Sequence, residues 1–520
     1  MIEGLTLGQI SHHYARSGVT RDRVVLTTGS ESYTWGRLDD GSNRLARALG
    51  GLGVGVQDKV AVLLWNDPAY YELMFAVAKA GAVIVPLNAR LVARELAYYL
   101  ERSHAKVLVT SPGFATVVRE AVALAGIDIA VLGRGGGEPG WLDYDELLAG
   151  SDPAPPTVEV SPDAPFWMPF TSGTTGAPKA ALIPHRNLVT EWNALSAEIA
   201  SGRDDTYLLA APIFGGVGFV FGLCSLYRGG RVVLMEQFDP ARALQLIEEH
   251  RVTVLPAAPT MLSMMIEADG AAERDVSSVR AILAMGSALS TGLRRRVERY
   301  FAAAEGVYHP YGSTELGTCA CIHPSQQEGR DGSVGQGFLG AEVRLLDAEG
   351  NDVAPGEVGE IYTRGKVLSV GYFENEEATA ASRRGDWVTS NDLGRFDEDG
   401  FLYVVDRTKD MIVTGGLNVY SNEVEEVIST FDGVGQVAVI GVPDPKWGEA
   451  VTAYVTAAAG AEVDLESLRA HCTAQLADFK RPKSVVVVDG MPLSSTGKIL
   501  KRVLRDDVAA GRVPTGAALA

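Results

Sequence analysis

The sequence predicts an α/β protein: a large N-terminal unit of several subdomains, residues 1–406, followed by a small α+β unit, residues 407–520. Three observations carry this expectation. Short β-branched runs alternate with helical patterns through the first three quarters of the chain, which suggests layered sheets and helices. The texture then changes after about Phe401, where strands and helices become more evenly mixed. At 520 residues the chain is also too long for one compact core.

In chain order, the expected strands of the large unit are Lys59–Leu64, Ala82–Pro86, Val107–Thr110, Arg231–Met235 and Val252–Pro256. Between them, Gly41–Leu49, Tyr70–Ala80 and Arg94–Arg102 have helical periodicity. Gly- and Pro-rich punctuation falls at Gly133–Gly140 and Asp152–Pro165, and the second marks a subdomain junction. A strand at Phe401–Val405 leads to the charged break Asp406–Asp410, the expected hinge. Beyond it, helices are expected at Asn422–Thr430, Leu465–Leu476 and Ile499–Asp507, and strands at Val437–Val442, Ala450–Val455 and Ser484–Val488.

Composition narrows the function. An apolar fraction of 46% and a charged fraction of 21% describe an ordinary globular chain. A net charge of −19 argues against nucleic acid as a partner. Four cysteines are too few for a disulfide framework, and Cys319-x-Cys321 lacks a second ligand pair for a metal. The N-terminal residues form no signal peptide and no stretch is long and apolar enough to span a membrane, so the cytoplasm is the expected location.

The most informative stretch is Thr171-Ser172-Gly173-Thr174-Thr175-Gly176-Ala177-Pro178-Lys179. It gathers hydroxyls, glycines and one cation in a single loop. Glycine is needed where backbone wraps a phosphate closely. The loop follows an expected strand at Phe166–Phe170 and precedes an expected helix from Asn187, a context that suits phosphate binding. It is not a Walker loop, because Pro178 separates the glycines from the lysine and Ala180 follows it.

Three further segments stand with it: Tyr311-Gly312-Ser313-Thr314-Glu315, Asp392 with Asp406-Arg407, and Pro492-Leu493-Ser494-Ser495-Thr496-Gly497-Lys498. In this order the four resemble the motifs of the adenylate-forming superfamily of acyl-CoA synthetases, luciferases and peptide-synthetase adenylation domains. The resemblance covers nearly the whole chain. It implies a two-step reaction using ATP, Mg²⁺ and coenzyme A. A carboxylate attacks the α-phosphate of ATP, and a thiol then displaces AMP from the acyl-adenylate. The small unit rotates about its hinge between the steps.

The resemblance also implies roles. Thr171, Ser172, Gly173, Thr174, Thr175, Gly176 and Lys179 would hold the β- and γ-phosphates. Glu315 matches the Mg²⁺ position, Thr314 would contact the α-phosphate, and Tyr311, with Gly312 beside it, would stack along the adenine. Asp392 would accept both ribose hydroxyls, supported by Arg407, and Lys498 would bridge the carboxylate and α-phosphate. Lys409 matches the hinge. Gly415 and Gly416 match a pantetheine tunnel, while Trp447, Phe479, Lys480 and Arg481 resemble contacts to the nucleotide end of CoA.

Four positions depart from the family pattern: Ala180 for a glycine, Phe214-Gly215 for an aromatic–histidine pair, Pro310 for a glycine, and Asn391 for the glycine before Asp392. Two readings follow. Either the chain is a complete ligase with tolerated variations, or adenylation is impaired and an adenylating partner enzyme supplies the acyl-adenylate. The acyl pocket is expected around Phe214, Gly215, Gly216, Gly218, Phe219 and Pro310. It lacks an acidic residue for a substrate ammonium, so a hydrophobic, bulky or polycyclic carboxylic acid is expected. A carrier-protein loader, a luciferase-like oxidase and a non-catalytic nucleotide-binding protein are the alternatives.

Overall fold

The computed structural model describes residues 4–29, 31–171, 178–407, 410–458, 460–494 and 497–512, and the backbone of 517–518. Two large sheets make the N-terminal unit. One has a parallel core of Val24–Thr28, Arg231–Leu234, Thr206–Leu209, Val254–Ala257, Ala281–Ala284 and Val307–Ser313. Beyond Val307–Ser313 it turns antiparallel, through Gly317–Ile322 and Ser333–Gly337 to Leu402–Arg407 and Trp387–Phe396. The other sheet is built on Lys59–Leu63, Val83–Pro86 and Ala105–Thr110. The expected strands there lie within a residue or two of the observed ones.

Helices follow the apolar periodicity. Trp35–Gly51 is longer than expected because Thr34 caps its N-terminus, its side chain accepting the Arg37 N–H. Ala69–Lys79 is buried along its whole length, and its two buried charges are satisfied there, Lys79 pairing with Asp39 at 2.6 Å and Glu72 accepting the Tyr144 hydroxyl at 3.1 Å.

One expectation is corrected. The Thr171–Lys179 loop does not run from a strand into a helix. Phe170–Thr171 pairs antiparallel with Lys179 and Ala180, and the strand Lys179–Pro184 precedes the helix His185–Glu198. The loop therefore joins two antiparallel strands, and its lysine stands on the returning one. Ser172, Gly173, Thr174, Thr175 and Gly176 lie outside the described residues, as does Lys409 at the expected hinge.

The small unit has a sheet centred on Gly448–Ala457, which pairs antiparallel with Val434–Asp444 and parallel with Ser484–Val487. The helices Ser421–Ser429 and Leu465–Gln475 cover its apolar core of Val424, Ile428, Val439, Val451 and Leu468. The strand Leu402–Arg407 is hydrogen-bonded into the large unit, with Arg407 opposite Asp392. Arg407 thus lies with the large unit, one residue beyond the expected boundary. The four cysteines are buried. Among the described residues no helix is long and apolar enough to cross a membrane.

Candidate functional site

The hairpin Val307–Ser313 and Gly317–Ile322 presents Thr314 and Glu315 at its tip. The tip is tight because Gly317 has φ +62° and a Cβ on Gly312 would lie 2.0 Å from the Gly317 carbonyl oxygen. Glu315 accepts the hydroxyl of Tyr372 at 2.8 Å. The same ring lies 5.3 Å from the Lys179 ammonium. Tyr372, which sequence reasoning missed, therefore links the two groups expected to face the phosphates. Its only trace in the sequence is a Gly-Tyr-Phe step. Among the described residues no three His, Cys, Asp or Glu side chains form a metal cage. One carboxylate near Lys179 would suit Mg²⁺, which takes its other ligands from phosphate and water.

Asp392 is the buried centre of the second group, with 4% of its surface exposed. Its Oδ2 accepts the hydroxyls of Tyr311 and Ser390, both at 2.8 Å, and its Oδ1 accepts Arg407 Nε at 3.1 Å. The Tyr311 hydroxyl was not expected to point here. Burial, reinforced by the Asp392 carboxylate, raises the Tyr311 pKa, so its hydroxyl keeps its proton and donates. Asn391 has φ +62°. Asparagine is the side chain best suited to that left-handed conformation after glycine, so the Gly-to-Asn departure keeps the backbone path.

Lys498 reaches this cleft from the small unit. Burial, then the charge of Arg407, lowers its pKa to about 8, opposed by Asp392 and Glu315. A Cβ on Gly286 would lie 3.4 Å from Lys498 Cε and 3.6 Å from Val217. These are ordinary contact distances; Gly286, also missed, is glycine because its φ is +101°, and it lies beside the lysine at the mouth of the expected acyl region. The Lys498 segment is held by Ser494, whose N–H donates to the Lys498 carbonyl at 2.7 Å and whose hydroxyl accepts the Lys498 N–H at 2.9 Å. Thr260 of the large unit donates its hydroxyl to the Gly497 carbonyl.

The acyl candidates divide. Phe219 is fully buried and stacked on Trp167, with ring centroids 4.3 Å apart. Gly218 serves packing, since a Cβ there would lie 2.2 Å from the Pro212 carbonyl oxygen. Gly215 precedes the helix Gly216–Tyr227 as its N-cap, and Gly216 is exposed. Val217 faces Gly286, while Phe214 packs against the neighbouring core. Pro310 pairs with Cys321, beyond the end of the strand's register with Ala281–Ala284 at Tyr308. That side is therefore free of the ladder a proline would break. Ala180 sits in strand pairing with its methyl buried in the core.

The candidate thiol-step residues lie elsewhere on the small unit. Gly415 and Gly416 are exposed, and the Gly415 N–H donates to the Trp447 carbonyl at 2.7 Å. Of the expected cations, Lys480 is paired with Glu423 at 2.6 Å and Arg481 with Asp478 at 3.3 Å. Phe479 packs on the small core. The cations over the Trp447 ring are instead Lys446 at 4.5 Å and Lys483 at 5.4 Å. Sequence reasoning missed both, though each lies within a few residues of a motif it used.

A small unit that carries a cation into a carboxylate-lined cleft of an α/β unit is the arrangement of an adenylate-forming enzyme. Residues 14–373 match the family described as AMP-binding enzyme, and residues 423–498 match the AMP-binding enzyme C-terminal domain. The chain belongs to this family and is an AMP-forming acid–thiol ligase. It is 38% identical to a feruloyl-CoA synthase of Amycolatopsis sp over 94% of this chain and 97% of that one. It is 33% identical to the fatty acid–[acyl-carrier-protein] ligase ScoC of Streptomyces coeruleorubidus over 96% of each chain. ATP-bound MatB from Rhodopseudomonas palustris superposes with a TM-score of 0.88 at 28% identity, covering 98% of this chain and 100% of that one. The apo form of MatB, at the same coverage, gives 0.79. The arrangement of this chain is thus nearer to the ATP-bound form.

Proposed function

We propose that this chain is an acyl-CoA ligase that activates a hydrophobic, bulky or polycyclic carboxylic acid with ATP and transfers the acyl group to coenzyme A. The observation that carries the reading is Lys498, delivered by the small unit to the cleft of Glu315, Asp392 and Arg407. In the first step the acid's carboxylate attacks the α-phosphate, and pyrophosphate leaves with the β- and γ-phosphates facing Lys179. Lys498 neutralises charge that develops between carboxylate and α-phosphate. Asp392 and Tyr311 orient the nucleoside, and Thr314 contacts the α-phosphate. Mg²⁺, held by Glu315 and the phosphates, would screen the negative charge of the triphosphate. In the second step the CoA thiolate attacks the acyl carbonyl and AMP leaves.

The fit of Asn391, Pro310 and Ala180 to their local backbone supports a complete ligase over one that needs a preformed adenylate. The similarity to feruloyl-CoA synthase supports an aromatic or otherwise bulky acid. The test is mass-spectrometric detection of the CoA thioester from a panel of hydrophobic acids with ATP, Mg²⁺ and CoA. Synthetic adenylates with CoA run in parallel. Turnover from adenylates alone would overturn the complete-ligase reading.

A carrier-protein thiol is the second reading, favoured by the similarity to ScoC. Trp447 under Lys446 and Lys483 favours CoA, whose adenine and phosphates would meet the ring and the cations. Trp447→Ala is expected to raise the KM for CoA about ten-fold, the scale of one lost base–aromatic stack. Acid-dependent pyrophosphate release should be unchanged. If the KM for CoA does not move, the CoA assignment of this face fails.

Val217 stands beside Gly286 at the mouth of the acyl region. Val217→Phe is expected to raise the KM for a bulky aromatic acid at least about ten-fold, the scale of overpacking a fitted pocket. The KM for ATP should be unaffected, and competition between bulky and short acids measures the change.

A further inference from the structure

The two units also meet away from the motif residues. The helix Thr291–Tyr300 of the large unit lies against the helix Ser421–Ser429 of the small one. The first N–H groups of a helix have no partner within it. Here the Thr291 N–H donates to both carboxylate oxygens of Glu426, at 3.0 and 3.2 Å. That cap comes from the other unit. Ser290 supplies the local cap, its hydroxyl accepting the Leu293 N–H at 3.3 Å.

The next residue is Gly292. A Cβ there would lie 2.2 Å from the Ser429 carbonyl oxygen and 3.0 Å from its carbon. Gly292 is in ordinary helical conformation, not among the glycines of positive φ. Alanine is the better helix former at such a position, so nothing within the helix calls for glycine. The close approach of the small unit does. Burial raises the Glu426 pKa and the bonds to Thr291 oppose it; Asp331 and Arg294 are the nearby charges.

We propose that Gly292 and Glu426 form a positioning latch that selects the orientation in which Lys498 enters the cleft, and that this latch opens for the thiol step. The pair touches no reacting atom and acts through Lys498. The inference rests on the two-step reading above.

Gly292→Ala is the sharpest test, because it favours the isolated helix and clashes only with the docked small unit. Acid-dependent pyrophosphate release should fall at least about ten-fold, a usual scale for a conformational coupling. Thioester formation from a synthetic adenylate and CoA should stay within about two-fold. Glu426→Ala should act in the same direction, and Glu426→Gln, which keeps an acceptor oxygen, should restore much of the loss. Equal loss of both half reactions, or loss of neither, overturns the latch.

A second readout needs no substrate. The four native thiols are buried, so dyes can be placed on Val19→Cys and Asp478→Cys, where the native side chains are 91% and 87% exposed. In this labelled protein Gly292→Ala should shift the energy-transfer distribution from that of its parent; an unchanged distribution overturns the latch. If the parent forms no thioester from any acid or adenylate, the functional reading fails, and this arm still decides the latch.

Discussion

Lys498→Ala is expected to lower acid-dependent pyrophosphate release by about 10²–10³-fold, while thioester formation from a synthetic acyl-adenylate stays within about three-fold. The small unit brings one ammonium into a cleft already holding Glu315, Asp392 and Arg407. A cation fixed there before reaction needs no reorganisation when charge develops on the α-phosphate. The second step uses the other orientation of the small unit and would not feel its loss. Equal loss in both half reactions would sink the assignment.

The same lysine sets a pH dependence. Its pKa lies near 8, below the usual lysine value of 10.5, because burial and Arg407 disfavour the charged form. The charged, competent form therefore dominates below about pH 8 and is lost above it. For the first half reaction, kcat/KM should fall on the alkaline side with an apparent pKa near that of the free enzyme. The adenylate-to-thioester step should lack this limb. Stability follows the opposite sign. Between pH 8 and 10.5 the unfolded chain holds the proton that the folded chain has released, so folding is favoured as pH rises through that window.

How much of this was legible in sequence depends on what each signal encodes. The sheets were, because runs such as Lys59–Leu63 and Ala105–Thr110 are β-branched and bounded by turns. The strand Lys179–Pro184 was not. Its Ala-Ala and terminal Pro hide a strand whose identity comes from pairing with Trp167 and Tyr372. Lys498, Glu315 and Asp392 were readable as motif residues. Tyr372, Gly286, Lys446 and Lys483 were not, because their roles exist only through contacts across the chain. Phe219 shows the converse: its aromatic side chain looked like a pocket wall, yet stacking on Trp167 consumes it. The latch at Gly292 was invisible for the same reason, since a helical glycine explains itself only against Ser429.

Asp392→Ala is expected to carry the other large effect, with kcat/KM for ATP falling by about 10–10²-fold, since a hydrogen bond from a ribose hydroxyl to a carboxylate is worth roughly 1.5–3 kcal/mol. The carboxylate is buried at 4% exposure and already accepts Tyr311, Ser390 and Arg407. Its four lone-pair sites leave one beyond these three donors, room for one ribose hydroxyl. Removing it also strands the Tyr311 hydroxyl, at a cost of about 1–3 kcal/mol in folding stability. The two consequences separate in a cycle with Tyr311→Phe. That variant deletes the donor and keeps the carboxylate, so ATP use should survive with a smaller loss. In the double variant the stability penalty of Asp392→Ala should shrink, because no tyrosine hydroxyl is left without an acceptor, while the loss in ATP use persists. Thermal unfolding and ATP-dependent pyrophosphate release measure the two arms. If ATP use recovers in the double variant, Asp392 acts by supporting Tyr311 and not by holding the ribose.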